Sequence, residues 1–303
     1  MISGWDGIEE FVAVARAGSF TGGAKAFGAS TTHMSRAIAR LETRVDAQLI
    51  VRTTRSLHLT DTGRIFLEHC QRLVDEREEA IAGVGAKGEP KGSLKLTCSY
   101  ALGEKFVAPL VRRFAQNYPG LSVTIDLDND VVDIVNGGFD LAIRTGHLED
   151  SRLIATRIAE REMVTAVSRH YVSAHGTPLE IEDLRGHDCL VGSAKQWHFQ
   201  NDTIFRPHGR WQCNSGNSVL EACIAGMGIC QLPAFYLRDH LAAGRLQEIL
   251  VDVKPDNEPI WAVYPTQRHL SPKVSLLVRH LRANLQRLLD HHVGDAGNDT
   301  KGG

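Results

Sequence analysis

The sequence predicts an α/β chain with a small helical module at its N-terminus and a larger domain of alternating strands and helices behind it. In the first part of the chain, apolar residues recur at helical spacing. From Ser93 onward, short strands such as LKLT and LSVTIDL alternate with helices such as residues 106–117, a pattern typical of an α/β sheet and compatible with two lobes. The glycine-rich stretch GVGAKGEPKG, residues 83–92, predicts the boundary between the two parts.

Length and charge support this division. A chain of 303 residues, 43% of them apolar, exceeds one typical domain. Its net charge of −2 argues against a DNA coater that is basic throughout. Between Phe11 and Thr60, however, seven Lys or Arg residues stand against two acidic residues, a net charge of +5, which leaves −7 for the remainder. A basic block at one end of an acidic chain predicts a module that meets a polyanion.

The basic block begins with two predicted helices. The first ends at Gly18 and carries an apolar stripe of Ile8, Phe11, Val12 and Ala15. Ser19 starts a second, short helix near residues 21–27, which presents Ala24 and Phe27 inward. Gly28 then allows a tight turn where two helices cross at close range. Because another helix follows, this order predicts a helix-turn-helix.

The third helix lies in the stretch STTHMSRAIARLE, residues 30–42, with Ser30 at the N-cap position. One face is an apolar stripe of Met34, Ile38, Leu41 and Val45. The other face carries side chains suited to phosphates and base edges, namely Thr32, His33, Arg36, Arg40 and Arg44. Alone, the pattern is more typical of a solvated amphipathic helix, and it is the neighbouring elements that favour DNA.

The stretch IVRTTRSLHLT after this helix predicts a small hairpin. Its polar tip consists of Thr53, Thr54, Arg55 and Ser56. Threonine and arginine on an exposed hairpin suit phosphate or minor-groove contact, so the hairpin is interpreted as a wing. A plain solvated turn is the alternative.

Thr60 is predicted to cap a long helix that extends to about Val84. A heptad-like seam runs along this helix through Phe66, Cys70, Leu73, Arg77, Ala80 and Val84. Because two and a half heptads cannot bury themselves in isolation, the seam predicts pairing with the same helix of a second chain, with Arg77 setting the register.

Cysteine usage and the first residues predict a cytoplasmic location. The six cysteines form no CxxC pair and no zinc-like spacing with histidine, which is typical of reduced, buried residues. The N-terminus MISGWDGIEE has neither a basic nor an apolar leader, and no run approaches 18 apolar residues, so neither export nor membrane spanning is expected. No metal or cofactor is expected. The tail at 291–303 is expected to be disordered.

The motifs FVAVARAGSFTGGAKAFGAS, STTHMSRAIARLE and LIVRTTRSLHLTDTG resemble, in this order, the LysR-type transcriptional regulators. The likeness continues through GSLKLTCSYALGEKFVAPLVRRFAQNYPGLSV, FDLAIRTG and AGMGICQLP and covers roughly residues 5–290. The resemblance implies a winged helix-turn-helix at 1–60, a linker helix for dimerisation at 61–88, and a two-lobed effector domain like periplasmic binding proteins at 89–290. It also implies a homodimer or homotetramer that binds double-stranded operator DNA, with RNA polymerase as a further partner.

Roles transfer from the family to matching positions of this chain. In the third helix, the residues implied to approach the major groove are Ser30, Thr31, Thr32, His33, Ser35, Arg36 and Arg40. In the hairpin, the residues implied to approach the backbone or minor groove are Arg52, Thr54 and Arg55. The chain departs from the family pattern at Gly22, Gly23, Phe27 and Asp46. The two glycines are expected to loosen the second helix by roughly 1 kcal/mol each relative to alanine.

The family places its small-molecule site between the lobes, and three stretches are expected to line it. They contain Cys98, Ser99, Tyr100 and Ala101, then Arg144, Thr145 and Gly146, and finally Ser193, Trp197, Asn217 and Ser218. An anionic or aromatic effector is expected, with a carboxylate at Arg144 and a stacking face at Trp197 or Tyr100. The alternative for Arg144 is an internal salt bridge with Asp128, Asp130 or Asp140.

Three function classes are the alternatives to an effector-controlled DNA-binding regulator. An enzyme is disfavoured, because the sequence has no GxSxG, HExxH, P-loop or dinucleotide motif, and GMG in AGMGICQLP lacks the third glycine. A thiol-based redox regulator would use Cys189 and Cys213 at the cleft, with His187 as the basic neighbour. A solute-binding protein is disfavoured by the missing signal peptide and by the basic module.

Overall fold

The computed structural model describes residues 5–52, 57–83, 89–130, 132–146, 153–266 and 271–290. The chain divides into an N-terminal unit, Met1–Gly88, and a C-terminal unit, Glu89–Gly303. The described elements of the N-terminal unit are α1 (Ile8–Ala17), α2 (Phe20–Phe27), α3 (Thr31–Val45), β1 (Ile50–Arg52), β2 (Leu57–Leu59) and α4 (Asp61–Gly83). Strands β1 and β2 pair antiparallel, with Ile50 opposite Leu59, so the predicted hairpin is confirmed.

Capping side chains and apolar spacing define the helices of the N-terminal unit. The hydroxyl of Ser19 accepts a hydrogen bond from the Gly22 amide (3.0 Å), and that of Ser30 accepts one from the His33 amide (3.1 Å). The predicted stripe of α3 is buried in one core with α1, where Met34, Ile38 and Leu41 have no exposed surface. The helix-turn-helix prediction is therefore confirmed.

The second helix differs from its prediction in three respects. Phe27 is 37% exposed and stacks on His33 with ring centroids 6.4 Å apart, so the prediction that it faces inward is wrong. Gly28 ends α2 with a left-handed φ of 74°, a conformation that favours glycine. Space is not the reason for this glycine, since a side chain there would meet no atom within 4 Å. Close approach occurs instead at Gly23, where an added Cβ would lie 2.7 Å from the Val14 Cα. Because α1 and α2 pack backbone to backbone at Gly23, this glycine permits their contact.

The partner of the predicted seam on α4 is largely α1 of the same chain. Phe66 packs against Phe11 with ring centroids 5.8 Å apart, and Cys70 is buried in the same core. Arg77 forms an ion pair with Glu9 and lies 5.8 Å from the centre of the Trp5 ring. The side chain of Ala80 and all of Val84 lie outside the described residues. The first half of the seam is therefore used within the N-terminal unit, while Leu73 of the same seam remains 45% exposed. Pairing of this helix with a second chain stays a prediction.

The described part of the C-terminal unit contains three sheets, of five, three and two strands, with helices around the two larger ones. The elements of its first part are β3 (Gly92–Cys98), α5 (Tyr100–Leu102), a π-helical turn (Gly103–Val107), α6 (Ala108–Gln116), β4 (Leu121–Leu127), β5 (Leu141–Thr145) and β6 (Leu153–Arg161). Those that follow are β7 (Met163–Ser168), α7 (Arg169–His175), a 3₁₀ turn (Ile181–Gly186), β8 (Trp197–His198), β9 (Ile204–Phe205), α8 (Gly216–Ile224), β10 (Cys230–Pro233), α9 (Ala234–Ala242), β11 (Leu246–Glu248), a second 3₁₀ turn (Val251–Val253), β12 (Glu258–Pro265) and α10 (Pro272–Asp290).

Each of the two larger sheets forms the centre of one lobe. The first lobe has the strand order β4-β3-β5-β12-β6, in which β3 runs parallel to β4 and β5 while β12 runs antiparallel to both neighbours. The second lobe has the antiparallel order β10-β7-β11. The chain passes from β6 into β7 through Glu162, whose carboxylate binds the Lys254 ammonium (2.6 Å). None of the described helices is long and apolar enough to cross a membrane.

We predict that Gly23→Ala destabilises the N-terminal unit. Overpacking costs about 1–3 kcal/mol, which exceeds the roughly 1 kcal/mol that alanine gains over glycine in a helix, because the clash is with the Val14 backbone and cannot relax through a rotamer change. Hydrogen exchange in residues 8–27, measured by mass spectrometry, should become faster. The comparison variant is Gly22→Ala, whose added Cβ meets the side-chain atoms of Ser19 and Ala17 first and should cost less. Slower exchange in the Gly23 variant would show that helix propensity dominates.

Candidate functional site

The exposed side of α3 is centred on four residues, Thr32, Arg36, Ala39 and Thr43, here called the outward face. Their positions along the helix place them opposite the buried stripe, and all four are exposed. Arg36 has no hydrogen-bond or ion-pair partner among the residues described. An exposed basic side chain between threonines at the start of a capped helix is suited to a DNA groove.

The other predicted residues of α3 lie around this face. Thr31 is exposed, Ser35 is partly buried, and the Ser30 hydroxyl is occupied as the helix cap. His33 and Arg40 lie on one flank of α3, and both bind acidic side chains of their own unit. His33 Nε2 is 3.0 Å from Glu10 Oε1, and Arg40 donates to the two carboxylate oxygens of Asp6 at 3.2 and 3.4 Å.

His33 and Arg40 thus have partners within their own unit, and their contact with DNA stays a prediction. Helical geometry turns the flank toward the N-terminal end of α1, so both side chains meet a nearer anion than DNA. Sequence reasoning missed Asp6 and Glu10, because acidic residues near the start of α1 are equally typical of a favourable interaction with its dipole. It also missed Glu42, whose carboxylate accepts hydrogen bonds from the amides of Leu49 (2.8 Å) and Ile50 (3.0 Å). These two hydrogen bonds hold the start of the hairpin next to the last turn of α3.

Part of the predicted wing lies outside the described residues. Arg52 pairs with Leu57 through the backbone of the hairpin, but its side chain is not described. The same holds for the whole of Thr54 and Arg55.

In the C-terminal unit, a cavity of about 610 Å³ opens between the two lobes. Its wall is mostly neutral and polar or aromatic. The first helical turn after β3 and the N-terminus of α8 both contribute to it. The lining residues used below are Ser99, Tyr100, Ala101, Glu104, Asn129, Thr145, Arg161, Ser193, Trp197, Asn217, Gln231 and Tyr236. A pocket of this size and composition suits a small organic molecule.

The structure separates the predicted effector residues into two groups. Those that line the cavity are Ser99, Tyr100, Ala101, Thr145, Ser193, Trp197 and Asn217. Those that do not are Cys98, Arg144, Gly146 and Ser218. The Gly146 carbonyl accepts the Trp261 indole hydrogen bond (2.9 Å), and the Ser218 amide caps onto the Ser215 hydroxyl (3.4 Å). Trp197 is only 2% exposed, which leaves Tyr100, at 56%, as the accessible ring.

Strand geometry accounts for the position of Arg144 outside the cavity wall. The sequence placed it after the strand, whereas β5 extends through Arg144 to Thr145. Successive side chains of a strand point to opposite faces, so the residue beside the cavity-lining Thr145 points away from the cavity. The alternative salt bridge with Asp140 is not formed either, since that carboxylate accepts the Lys95 amide (2.8 Å) and lies 3.7 Å from the Lys273 ammonium. Arg144 Nη2 is buried without a partner among the described residues, and burial lowers the pKa of this guanidinium.

Several cavity residues were not predicted from the sequence, and their side chains already form hydrogen bonds within the protein. Arg161 donates two hydrogen bonds to Glu258 (2.9 and 2.7 Å). The Gln231 amide nitrogen donates to the Thr165 hydroxyl (3.2 Å) and to the His198 carbonyl (3.0 Å). No local motif signals these residues, because each reaches the cavity only through the pairing of distant strands.

Asn129 connects the two lobes across the cavity. Its side-chain oxygen accepts a hydrogen bond from the Tyr100 amide (3.2 Å), and its side-chain nitrogen donates to the Asn214 carbonyl (2.8 Å), just before α8. The nearby phenol of Tyr236 has a raised pKa, mainly because of burial and against the opposing effect of Arg161. Tyr236 is therefore neutral at physiological pH and can both donate and accept.

The cysteines are poorly placed for thiolate chemistry. Burial raises the pKa of Cys189 to about 12, and its thiol contacts the Leu184 carbonyl (3.7 Å). Burial likewise raises the pKa of Cys98 to about 12 and that of Cys70 to about 11. Cys213 is the one cysteine of the described residues that is partly accessible. No group of three or more metal-ligating side chains occurs within the described ranges.

Comparison with known proteins matches both units of the chain to one family. Residues 5–64 match the family described as bacterial regulatory helix-turn-helix protein, lysR family, and residues 87–286 match the LysR substrate binding domain. A relative from Xanthomonas campestris pv. campestris, named as an HTH-type transcriptional regulator, is 31% identical over 91% of this chain and 83% of its own length. The HTH-type transcriptional activator AaeR of Escherichia coli K12 is 29% identical over 89% of this chain and 90% of its own.

Solved structures show the same likeness along the chain. The full-length structure of AphB, a virulence activator of Vibrio cholerae, is 26% identical with a TM-score of 0.56, covering 92% of this chain and 98% of that one. AphB is a member of the LTTR protein family. The predicted fold class is confirmed, with a DNA-binding helix-turn-helix unit followed by an α/β effector-binding domain. The chain belongs to the LysR family of transcriptional regulators, which are DNA-binding proteins with an effector-binding domain and not enzymes.

Proposed function

We propose that this regulator reads operator DNA with the outward face of α3 and that a small molecule in the 610 Å³ cavity controls its activity. The observation that carries the proposal is the division of α3 into a fully buried stripe and an exposed face with an unpaired Arg36 among the described residues. The proposed limits are 1–60 for DNA binding, 61–88 for the linker helix and 89–290 for the effector domain.

The proposed DNA contacts fall into two sets. Ser30, Thr31, Thr32, Ser35 and Arg36 approach the major groove, and Arg52, Thr54 and Arg55 the backbone or minor groove. A helix whose first turn enters the groove brings its hydroxyls and arginine to base edges. His33 and Arg40 are left out of the groove set because of their partners Glu10 and Asp6.

The proposed effector is a small aromatic molecule with an anionic or hydrogen-bonding group. Tyr100 offers an exposed ring at the cavity, and the first amides of α8, which have no acceptor within the helix, favour an anionic group. Arg161 contributes less than a free guanidinium would, since it already binds Glu258. We therefore assign the polar group of the effector to the α8 end of the cavity, near Asn217.

An effector can control DNA binding only if it binds one arrangement of the two lobes more tightly than another. The Asn129 bridge supports this, because its two hydrogen bonds join Tyr100 to Asn214 from opposite sides of the cavity. We propose that ligand binding changes this closure and thereby the arrangement of paired protomers on DNA.

The proposed assembly is a homodimer or homotetramer acting in the cytoplasm, with RNA polymerase as a further partner. Ile65 is 62% exposed and Leu73 45%, so α4 keeps apolar surface on the side that α1 does not cover. Exposed apolar residues on a long helix favour helix pairing. The roles in activation or repression then depend on where the operator lies relative to the polymerase.

We predict that Arg36→Gln weakens DNA binding by about 1–3 kcal/mol, or roughly fivefold to 150-fold, because a charge-assisted groove contact is lost. The measurement is fluorescence anisotropy with a duplex from the region upstream of the coding sequence of the regulator. Arg16→Gln removes the same charge from the last turn of α1 and serves as the control. Equal affinities of wild type and the Arg36 variant would exclude the outward face as the reading surface.

We predict that Ser193→Trp fills part of the cavity and abolishes ligand binding without affecting DNA affinity. The measurement is isothermal titration calorimetry with benzoate, with cyclohexanecarboxylate, which lacks the aromatic ring, and with benzyl alcohol, which lacks the charge. Benzoate should bind most tightly to wild type. Ser122→Trp, on the exposed side of β4, is the matched control. Unchanged benzoate binding in the Ser193 variant would place the effector site elsewhere.

We predict that the native protein at pH 7.5 exposes one reactive thiol. Raised pKa values keep Cys70, Cys98, Cys189 and Cys230 protonated at this pH, and only thiolates react readily. Cys223 has no exposed surface. A colorimetric thiol assay should count about one rapid equivalent in wild type and none in Cys213→Ser. A peroxide-dependent change in DNA affinity that disappears in Cys189→Ser would instead support the redox alternative.

A further inference from the structure

We infer that Asp6 holds Arg40 away from DNA phosphates and thereby limits sequence-independent binding, so that selectivity rests on the outward face of α3. The inference depends on the proposed DNA-reading role of that face. It assigns a function to Asp6, and it changes the role expected for Arg40 from a DNA contact to an internally neutralised charge.

The carboxylate of Asp6 engages Arg40 through two donors. Arg40 Nε lies 3.2 Å from one oxygen and Nη2 lies 3.4 Å from the other. An arginine side chain binds a phosphate through the same paired donors, so a carboxylate in this position is a competitor of a DNA phosphate. The Arg40 side chain is 51% exposed, which means that only this pairing, and not burial, separates it from solvent and from a duplex.

The backbone around Asp6 is fixed against α3. Arg44 Nη2 donates to the Asp6 carbonyl (2.8 Å). At the next residue, Gly7, an added Cβ would lie 2.6 Å from the Ala37 carbonyl oxygen and 2.9 Å from the Leu41 Cβ. Asp6 is thus presented to the flank of α3 by a rigid contact, so its carboxylate needs no reordering to meet Arg40.

The position of Arg40 on the helix explains why the restraint matters. It lies one turn after Arg36 and beside the outward face, at the edge of the surface that meets DNA. Phosphate contacts add affinity for every sequence alike, whereas base contacts discriminate. Keeping the Arg40 side chain away from DNA phosphates therefore lowers the affinity for DNA of any sequence, while the side chains that contact bases are unaffected.

The test is the salt dependence of binding to a random-sequence duplex by the full chain. Each phosphate contact contributes about 0.9 to the slope of log affinity against log salt concentration. Asp6→Asn should steepen the slope by about 0.9 for each bound protomer, equivalent to an extra loss of about 3.5-fold between 50 and 200 mM salt. Arg40→Gln alone should leave the wild-type slope unchanged, and Asp6→Asn combined with Arg40→Gln should restore it.

Two further variants calibrate the experiment. Asp46→Asn removes an acidic charge at the C-cap of α3, where asparagine keeps the left-handed φ of 50° and no arginine is released, so its slope should match wild type. Arg36→Gln should flatten the slope, which shows that the assay detects a contacting arginine.

Each outcome decides the inference. A wild-type slope for Asp6→Asn overturns it, because freeing Arg40 then adds no phosphate contact. A slope for Arg40→Gln as flat as that for Arg36→Gln also overturns it and makes Arg40 a DNA contact. If Asp6→Asn does not fold, Asp6→Ser, which also frees Arg40, takes its place with the same expected slope. Failure of the wild-type chain to bind any duplex would instead reject the proposed function.

Discussion

The arrangement of the N-terminal unit depends on the close packing of the start of α1 against α3. Gly7 has a left-handed φ of 87° and lies where a side chain would overlap the Ala37 carbonyl. Met34, Ile38 and Leu41 of the apolar stripe are completely buried on the same side, so α3 cannot rotate about its axis without opening this contact. The rotation of α3 then determines which side chains point outward and which meet the acidic residues of α1.

The cavity of the C-terminal unit shows a related principle, because its polar wall is largely satisfied before a ligand enters. Arg161, Gln231 and the Tyr100 amide all have partners within the protein. Such groups keep their geometry when the cavity is empty, which reduces the ordering cost of binding. Recognition consequently falls to the remaining groups, the first amides of α8 and the Tyr100 ring. This favours an effector whose ring and single polar group are held at different ends of the cavity.

Local sequence signals predicted the elements well, and tertiary contacts explain where the prediction failed. The caps at Ser19 and Ser30, the buried stripe of α3 and the bounds of β4 follow from nearby residues alone. Arg144 does not line the cavity because one residue of difference in the end of a strand reverses the face to which a side chain points. The exposure of Phe27 and the pairing of Arg40 were not predicted because their partners, His33 and Asp6, lie in other parts of the N-terminal unit. The sequence can indicate that a residue is basic and exposed, but it cannot show whether that residue already forms an ion pair with a carboxylate of the same protein.

The central claim is that the outward face of α3, and not its flank, reads the DNA sequence. The most direct test is selection of preferred sites from a random duplex pool by wild type, Thr32→Gln and Asp6→Asn, followed by sequencing. Thr32→Gln should change the preferred base at one position of each half-site, because a glutamine amide reads a different base edge. Asp6→Asn should select the wild-type sequence with poorer enrichment. An unchanged preference for Thr32→Gln, together with a new preference for Asp6→Asn, would contradict the account and assign reading to the flank.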